Sequence, residues 1–97
     1  MRTVSVVRRD QYPDYYLYTI ADERHRKHTV EVPAIVLQVD PEEFHRGSNT
    51  EHLDIIACGA VLLSLDDEAI FHKVDCSMVD RAYRAASGAQ ILGQFGM

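Results

Sequence analysis

The chain is short of the residues from which small proteins build staples and metal sites. It has two cysteines, Cys58 and Cys76, in 97 residues. Two are too few for a disulfide framework. Both lie in apolar or amphipathic stretches, so both are expected as buried free thiols that react slowly, because burial disfavours the thiolate. Neither CxxC nor HxxxH spacing occurs. His72 and Cys76 are four apart and His25 and His28 three apart, but structural zinc normally takes four ligands, and His45, His52 and Cys58 are dispersed. No metal site is expected.

Long hydrophobic runs are missing too. The longest apolar stretch, residues 55–63, falls far short of the roughly 20 residues that cross a bilayer. The opening MRTVSVVRRD lacks the apolar core of a secretory leader, so cytoplasm is the expected setting and no membrane partner is expected. GxSxG, HExxH, GxxxxGKS/T and GxGxxG do not occur. A chain this short also has little room for a deep, water-excluding pocket. The protein is therefore read as not an enzyme, with no catalytic residue and no cofactor.

What is present is ordinary for one globular domain: 46% hydrophobic and 26% charged residues, with a net charge of −5. The hydrophobic content excludes intrinsic disorder. The acidic balance argues against whole-chain attraction to nucleic acid, so a local basic patch would have to supply it. The charges are unevenly placed. Seven Lys/Arg face eight Asp/Glu in residues 1–48, and three face seven in residues 49–97.

Period-2 alternation marks strands at residues 3–7 and 15–21. In the second, Tyr16, Tyr18 and Ile20 share one face and Tyr15, Leu17 and Thr19 the other. Residues 8–14 between them read as a turn. The polar run 22–28 reads as a hairpin loop without a tight two-residue turn. Residues 29–39 form a third extended segment, interrupted at Pro33, which cannot donate into a ladder. Asp40-Pro41-Glu42-Glu43 opens a short helical turn. Ser48, Asn49 and Thr50 are candidate caps for a helix over residues 51–65, with a stripe of Leu53, Ile56, Ala60 and Leu63. Two strands broken at Gly59 are the rival reading. Beyond Ile55 nearly every side of that helix is apolar, and Ala57-Cys58-Gly59-Ala60 is small enough for another backbone to pack close. Asp66-Asp67-Glu68 caps a further helical stretch with a stripe of Ile70, Phe71, Val74, Met78, Ala82 and Ala86. A break near residues 75–77 is expected, because Ser77-Met78-Val79-Asp80 resembles a capping box. Residues 93–97 read as a flexible tail.

The sum is a single α+β domain over residues 1–97: an N-terminal antiparallel meander of three to four strands, then two main helices packed on one face. With Val32-Pro33-Ala34-Ile35, this order resembles that of many small antitoxin-like and phage-encoded modules in architecture, without a motif that transfers a function.

Two surfaces are candidates for binding. The 51–65 helix is apolar on more sides than one sheet face covers. Val61, Leu62 and Leu65, joined by Ile91, Leu92 and Phe95, are expected at an interface, with a homodimer as the simplest solution. Leu62→Glu, or removal of residues 93–97, is then expected to favour the monomer. The second candidate is the basic loop Arg24, Arg26 and Lys27, with Arg8 and Arg9 and the strand aromatics Tyr16 and Tyr18. Arginines engage phosphates and aromatic faces stack bases. The expected function is a small non-catalytic protein–protein interaction or regulatory protein, such as an inhibitor of phage or mobile-element type. A nucleic-acid-binding module built on loop 24–28 is the alternative.

Overall fold

The computed structural model describes residues 2–44, 47–67 and 72–93. Four strands form one mixed sheet: β1 (Thr3–Gln11), β2 (Tyr15–Ala21), β3 (Lys27–Pro33) and β4 (Gln90–Gly93). Their order is β3-β2-β1-β4. The first three make an antiparallel meander, and β4 returns parallel to β1. Three helices lie between β3 and β4: α1 (Pro41–Phe44), α2 (Gly47–Asp67) and α3 (Val79–Ser87). The protein is thus an α+β fold, with strands first and helices after.

Alternation decides the faces of the sheet. Val4, Val6, Tyr16, Tyr18, Ile20, Val30 and Val32 are buried on one face. Helix α2 lies across that face and α3 packs on α2. The whole stretch 56–62 of α2 is buried, as its apolar circumference requires. Where the helices meet, a Cβ on Gly59 would lie 1.9 Å from the carbonyl oxygen of Ala82. Only a residue without a side chain permits that approach, and it explains the small-residue patch.

Several boundaries differ from the sequence reading, each for a local reason. β1 continues through Arg8, Arg9, Asp10 and Gln11, which were expected in a turn. A register shift between Val6 and Arg8 inserts Val7 as a bulge. The extra residue flips the alternation, so that Arg8 and Asp10 face out and Arg9 faces in. The turn shrinks to residues 12–14, closed by the Tyr12 amide donating to the Tyr15 carbonyl at 3.0 Å. Beyond Pro33 the chain does not stay extended. Residues Ala34–Leu37 form a 3-10 turn ended by Gln38 at φ 56°. Helix α2 starts earlier and ends later than residues 51–65, so Asp66 and Asp67 extend it rather than cap the next helix.

The second helical stretch is shorter than its stripe implied. Val74 belongs to an extended segment beside β3, where the Glu31 amide donates to the His72 carbonyl at 3.0 Å and the Val74 amide to the Glu31 carbonyl at 2.9 Å. Ile70, Phe71 and Glu68 lie outside the described residues. The break expected near 75–77 is a 3-10 turn, Cys76–Met78, capped by the Asp75 carboxylate, which accepts from the Ser77 and Met78 amides. Asp75 therefore takes the capping role expected of Ser77. At the C-terminus Gly93 belongs to β4, because a ladder to β1 gives Gln90, Ile91 and Leu92 partners in Thr3, Val4 and Ser5.

Candidate functional site

The hairpin between β2 and β3 is organised by Asp22. This residue ends the inner-face series of β2, and its side chain is 2% exposed. Its Oδ1 accepts the Arg24 amide at 2.8 Å and the Arg26 amide at 3.0 Å. Its Oδ2 accepts Arg26 Nε at 3.1 Å and meets His28 Nε2 at 3.0 Å. An aspartate that accepts from amides two and four residues on is a turn-forming device. It also holds His25 at φ 66° without glycine. Burial by itself would raise the Asp22 pKa; the donors from His28, Arg26 and Arg24 outweigh it and hold the carboxyl at about 2.

This hairpin forms one wall of a cleft of about 760 Å³. Small-molecule sites usually enclose roughly 300–1,000 Å³. The opposite wall is the C-terminal half of α2, which contributes Ala60, Val61, Ser64 and Leu65. Val30 joins these as apolar floor, while Arg2, Arg24, Arg26, Lys27, His28 and His72 supply cationic or imidazole groups around it. Two carboxylates, Asp22 and Glu23, also line it, and Asp22 is already engaged by its four donors.

The expected sites are redistributed by this geometry. Val61 and Leu62 are core residues, 1% and 3% exposed. They are not an exposed interface, because α3 covers the side of α2 that the sheet leaves open. Leu62→Glu would therefore place a charge in the core and unfold the chain rather than separate two copies. Leu65 is half-buried at the cleft. Ile91 shares the inner face with Val4 and is half-buried, while Leu92 beside it is 46% exposed. Phe95 lies outside the described residues.

The nucleic-acid constellation does not assemble. Tyr16 and Tyr18 are buried beneath the helices and present no face to a base. Arg24, Arg26 and Lys27 gather at the cleft, but Arg8 and Arg9 pair with Thr19 and Tyr18 further along the sheet. Arg8 Nε bonds Asp10 at 2.8 Å on the outer face. Arg9, turned inward by the bulge, lies over the Tyr16 ring at 5.3 Å. Its NH1 reaches Asp54 at 3.4 Å, and the Tyr18 hydroxyl donates to the same carboxylate. Burial pushes the Asp54 pKa up, against the lowering influence of Tyr18 and Arg9. Burial likewise raises Tyr18 and pushes the Cys58 thiol up to about 12.

Cys58 is buried as expected; Cys76 is exposed instead, at the start of a turn, its Sγ 3.5 Å from the Ile35 carbonyl. His72 and Cys76 do not share a helical turn, because the chain between them is not helical. Among the described residues no group of three His, Cys, Asp or Glu side chains is placed to hold a metal ion. Nor is any described helix long and apolar enough to cross a membrane.

Sequence reasoning missed Arg2, Asp22, Ser64 and His72 as cleft residues. Only Asp22 carried a local signal, an aspartate heading a polar loop; the others converge through tertiary packing alone. Comparison of the chain with protein-family models, curated proteins and solved structures gave no match.

Proposed function

We propose that this is a small non-catalytic protein that acts by protein–protein contact, first of all with a second copy of itself, in a cytoplasmic setting. The surface for that contact is the outer face of the sheet rather than helix α2. The carrying observation is that both main helices lie on one side, so that among the described residues no helix covers the other face of the sheet. Tyr15, Leu17 and Thr19 are half-buried on it; Leu92, Val7 and Tyr12 are exposed, and Tyr12 stacks on Tyr15 with ring centroids 4.5 Å apart.

The area approaches what pairing needs once side-chain relief is added. Strands of nine, seven, seven and four residues, at about 4.8 Å spacing and about 3.3 Å per residue, give a plane of roughly 430 Å² before side-chain relief. A stable twofold interface takes about 600–800 Å² from each partner. Charges of both signs rim the face, with Arg8 beside Asp10 and Glu31 beside Lys73. A rotated copy can therefore set opposite charges together. Light scattering at high micromolar concentration is expected to give twice the chain mass, and Leu17→Glu with Leu92→Glu is expected to return the monomer with its circular dichroism intact. A monomer for the unmodified chain would overturn the proposal.

A further inference from the structure

We propose that the cleft between the Asp22 hairpin and the C-terminal half of α2 binds an organic anion: a phosphate monoester or comparable dianionic head carried on a compact apolar body. This goes beyond self-association and does not depend on it.

The cleft combines two chemistries that a plain surface patch does not. Its floor is apolar: Leu65 is half-buried there, and Val30, Ala60 and Val61 line it with at most 2% exposure. A free inorganic ion gains nothing from such a floor, whereas an aryl or short acyl group does. Its rim sets Arg24, Arg26 and Lys27 against Glu23, an exposed carboxylate. Arg24 and Lys27 are exposed on the hairpin. Arg26 is held through Nε by Asp22 at 3.1 Å, a contact that does not engage its two terminal guanidinium nitrogens. A guanidinium held by one edge offers its other edge to a phosphate in a fixed geometry.

Asp22 is what makes a built site of these side chains. It is buried, and it fixes the backbone at Arg24 and Arg26 as well as the Arg26 head group. Because its charge is met by those donors, it does not repel an incoming anion as an open carboxylate would. His28 is anchored on the same oxygen as Arg26. The hairpin backbone and the Arg26 and His28 head groups thus reach the ligand already ordered, which lowers the cost of binding.

The same features disfavour a nucleic-acid strand. Among the described residues the lining has no tyrosine, phenylalanine or tryptophan on which a base could stack. A long polyanion would also face the net negative charge of the rest of the chain.

The test is a titration of the ¹⁵N-labelled full chain at low salt with phenyl phosphate, inorganic phosphate, phenol and a single-stranded oligonucleotide. Phenyl phosphate is expected to shift the amides of residues 22–28 and 60–65, and to bind at least tenfold more tightly than inorganic phosphate. Phenol is expected to leave them unmoved. Arg24→Ala with Lys27→Ala, two exposed positions that the fold tolerates, should weaken phenyl phosphate at least tenfold and flatten its salt dependence. Any of four results overturns the proposal: no shift by phenyl phosphate at millimolar concentration, undiminished binding in the double variant, phenol binding as well as phenyl phosphate, or the oligonucleotide binding more tightly than phenyl phosphate.

Discussion

Asp22 and Asp54 both rest against the inner face of the sheet, one from β2 itself and the other from α2, and their environments push them in opposite directions. Every described partner of Asp22 lies within six residues of it: Arg24, Arg26 and His28. The partners of Asp54 are Tyr18 and Arg9, 36 and 45 residues away. Asp22 is the more buried by accessible surface, yet its pKa falls, while that of the half-buried Asp54 rises. At Asp22 four converging donors outweigh burial, while at Asp54 burial outweighs the two donors. The hairpin supplies its own donors; the α2 site depends on the helix being held at one height above the sheet.

Gly59 sets how closely α3 packs on α2, and a displaced α3 shifts α2 on the sheet, so its substitution should separate the two regions most sharply. In a helix Ala is preferred over Gly by about 1 kcal/mol. Here the added methyl meets the Ala82 carbonyl, and forced overpacking of this kind costs about 3 kcal/mol. Gly59→Ala is expected to destabilise by about 2 kcal/mol net, read as a lowered urea midpoint. Amide shifts should spread around Asp54 and Tyr18 and leave residues 22–28 largely in place.

The next effect compares the two carboxylates directly. Asp22→Asn keeps one acceptor but puts an amide group against Arg26 or His28, and is expected to cost about 1.5 kcal/mol. Asp54→Asn removes a charge whose burial is already unfavourable, and is expected to change stability by less than about 1 kcal/mol. Equal losses in the two variants would end the contrast.

Acid dependence sharpens it further. The Asp22 pKa is lowered from 3.8 to about 2, so the unfolded chain binds its proton more tightly. Its contribution is complete above about pH 4 and disappears as the pH falls through 2. The Asp54 pKa is raised above 3.8, so its contribution is complete below that value and is lost as the pH rises through its folded pKa. Urea midpoints measured from pH 2 to 7 should lose part of their acid decline in Asp22→Asn, with Asp75, also lowered by its Ser77 and Met78 donors, keeping a share, and should lose the decline on the alkaline side of pH 4 in Asp54→Asn.

The smallest expected effect lies at His25, the left-handed residue of the hairpin. Glycine adopts that conformation without steric cost but loses more chain entropy on folding. His25→Gly should therefore be within about 1 kcal/mol of neutral, whereas His25→Val should melt several degrees lower.

The same division between local and distant partners explains what the sequence made legible. β2 was readable residue for residue because alternation is a local property. The burial of α2 on all sides was readable from its circumference, and the close approach at Gly59 from its small neighbours. What covers α2 was not readable, since an apolar face looks the same under α3 as under a second molecule. Val61 and Leu62 were misplaced for that reason. The inward turn of Arg9 depends on one bulge residue, Val7, which has no signature of its own. β4 was hidden because four residues pairing with the far end of the chain carry too little periodicity to distinguish them from a tail.

The contact between residues 72–74 and β3 has a consequence for how this molecule could polymerise. A sheet grows by adding strands at its flanks, and β3 is one of the two flanks. Lys27 stands near one end of it and Pro33, which has no amide hydrogen, at the other; at Glu31 both backbone groups are taken by His72 and Val74, and Lys73 lies 3.7 Å from its carboxylate. Charge, proline and a covering segment are the means by which natural sheets keep strangers off. Among the described residues nothing covers the flank at β4, so strand addition between copies has one docking side per molecule. An assembly made that way closes at two and cannot propagate into a fibre.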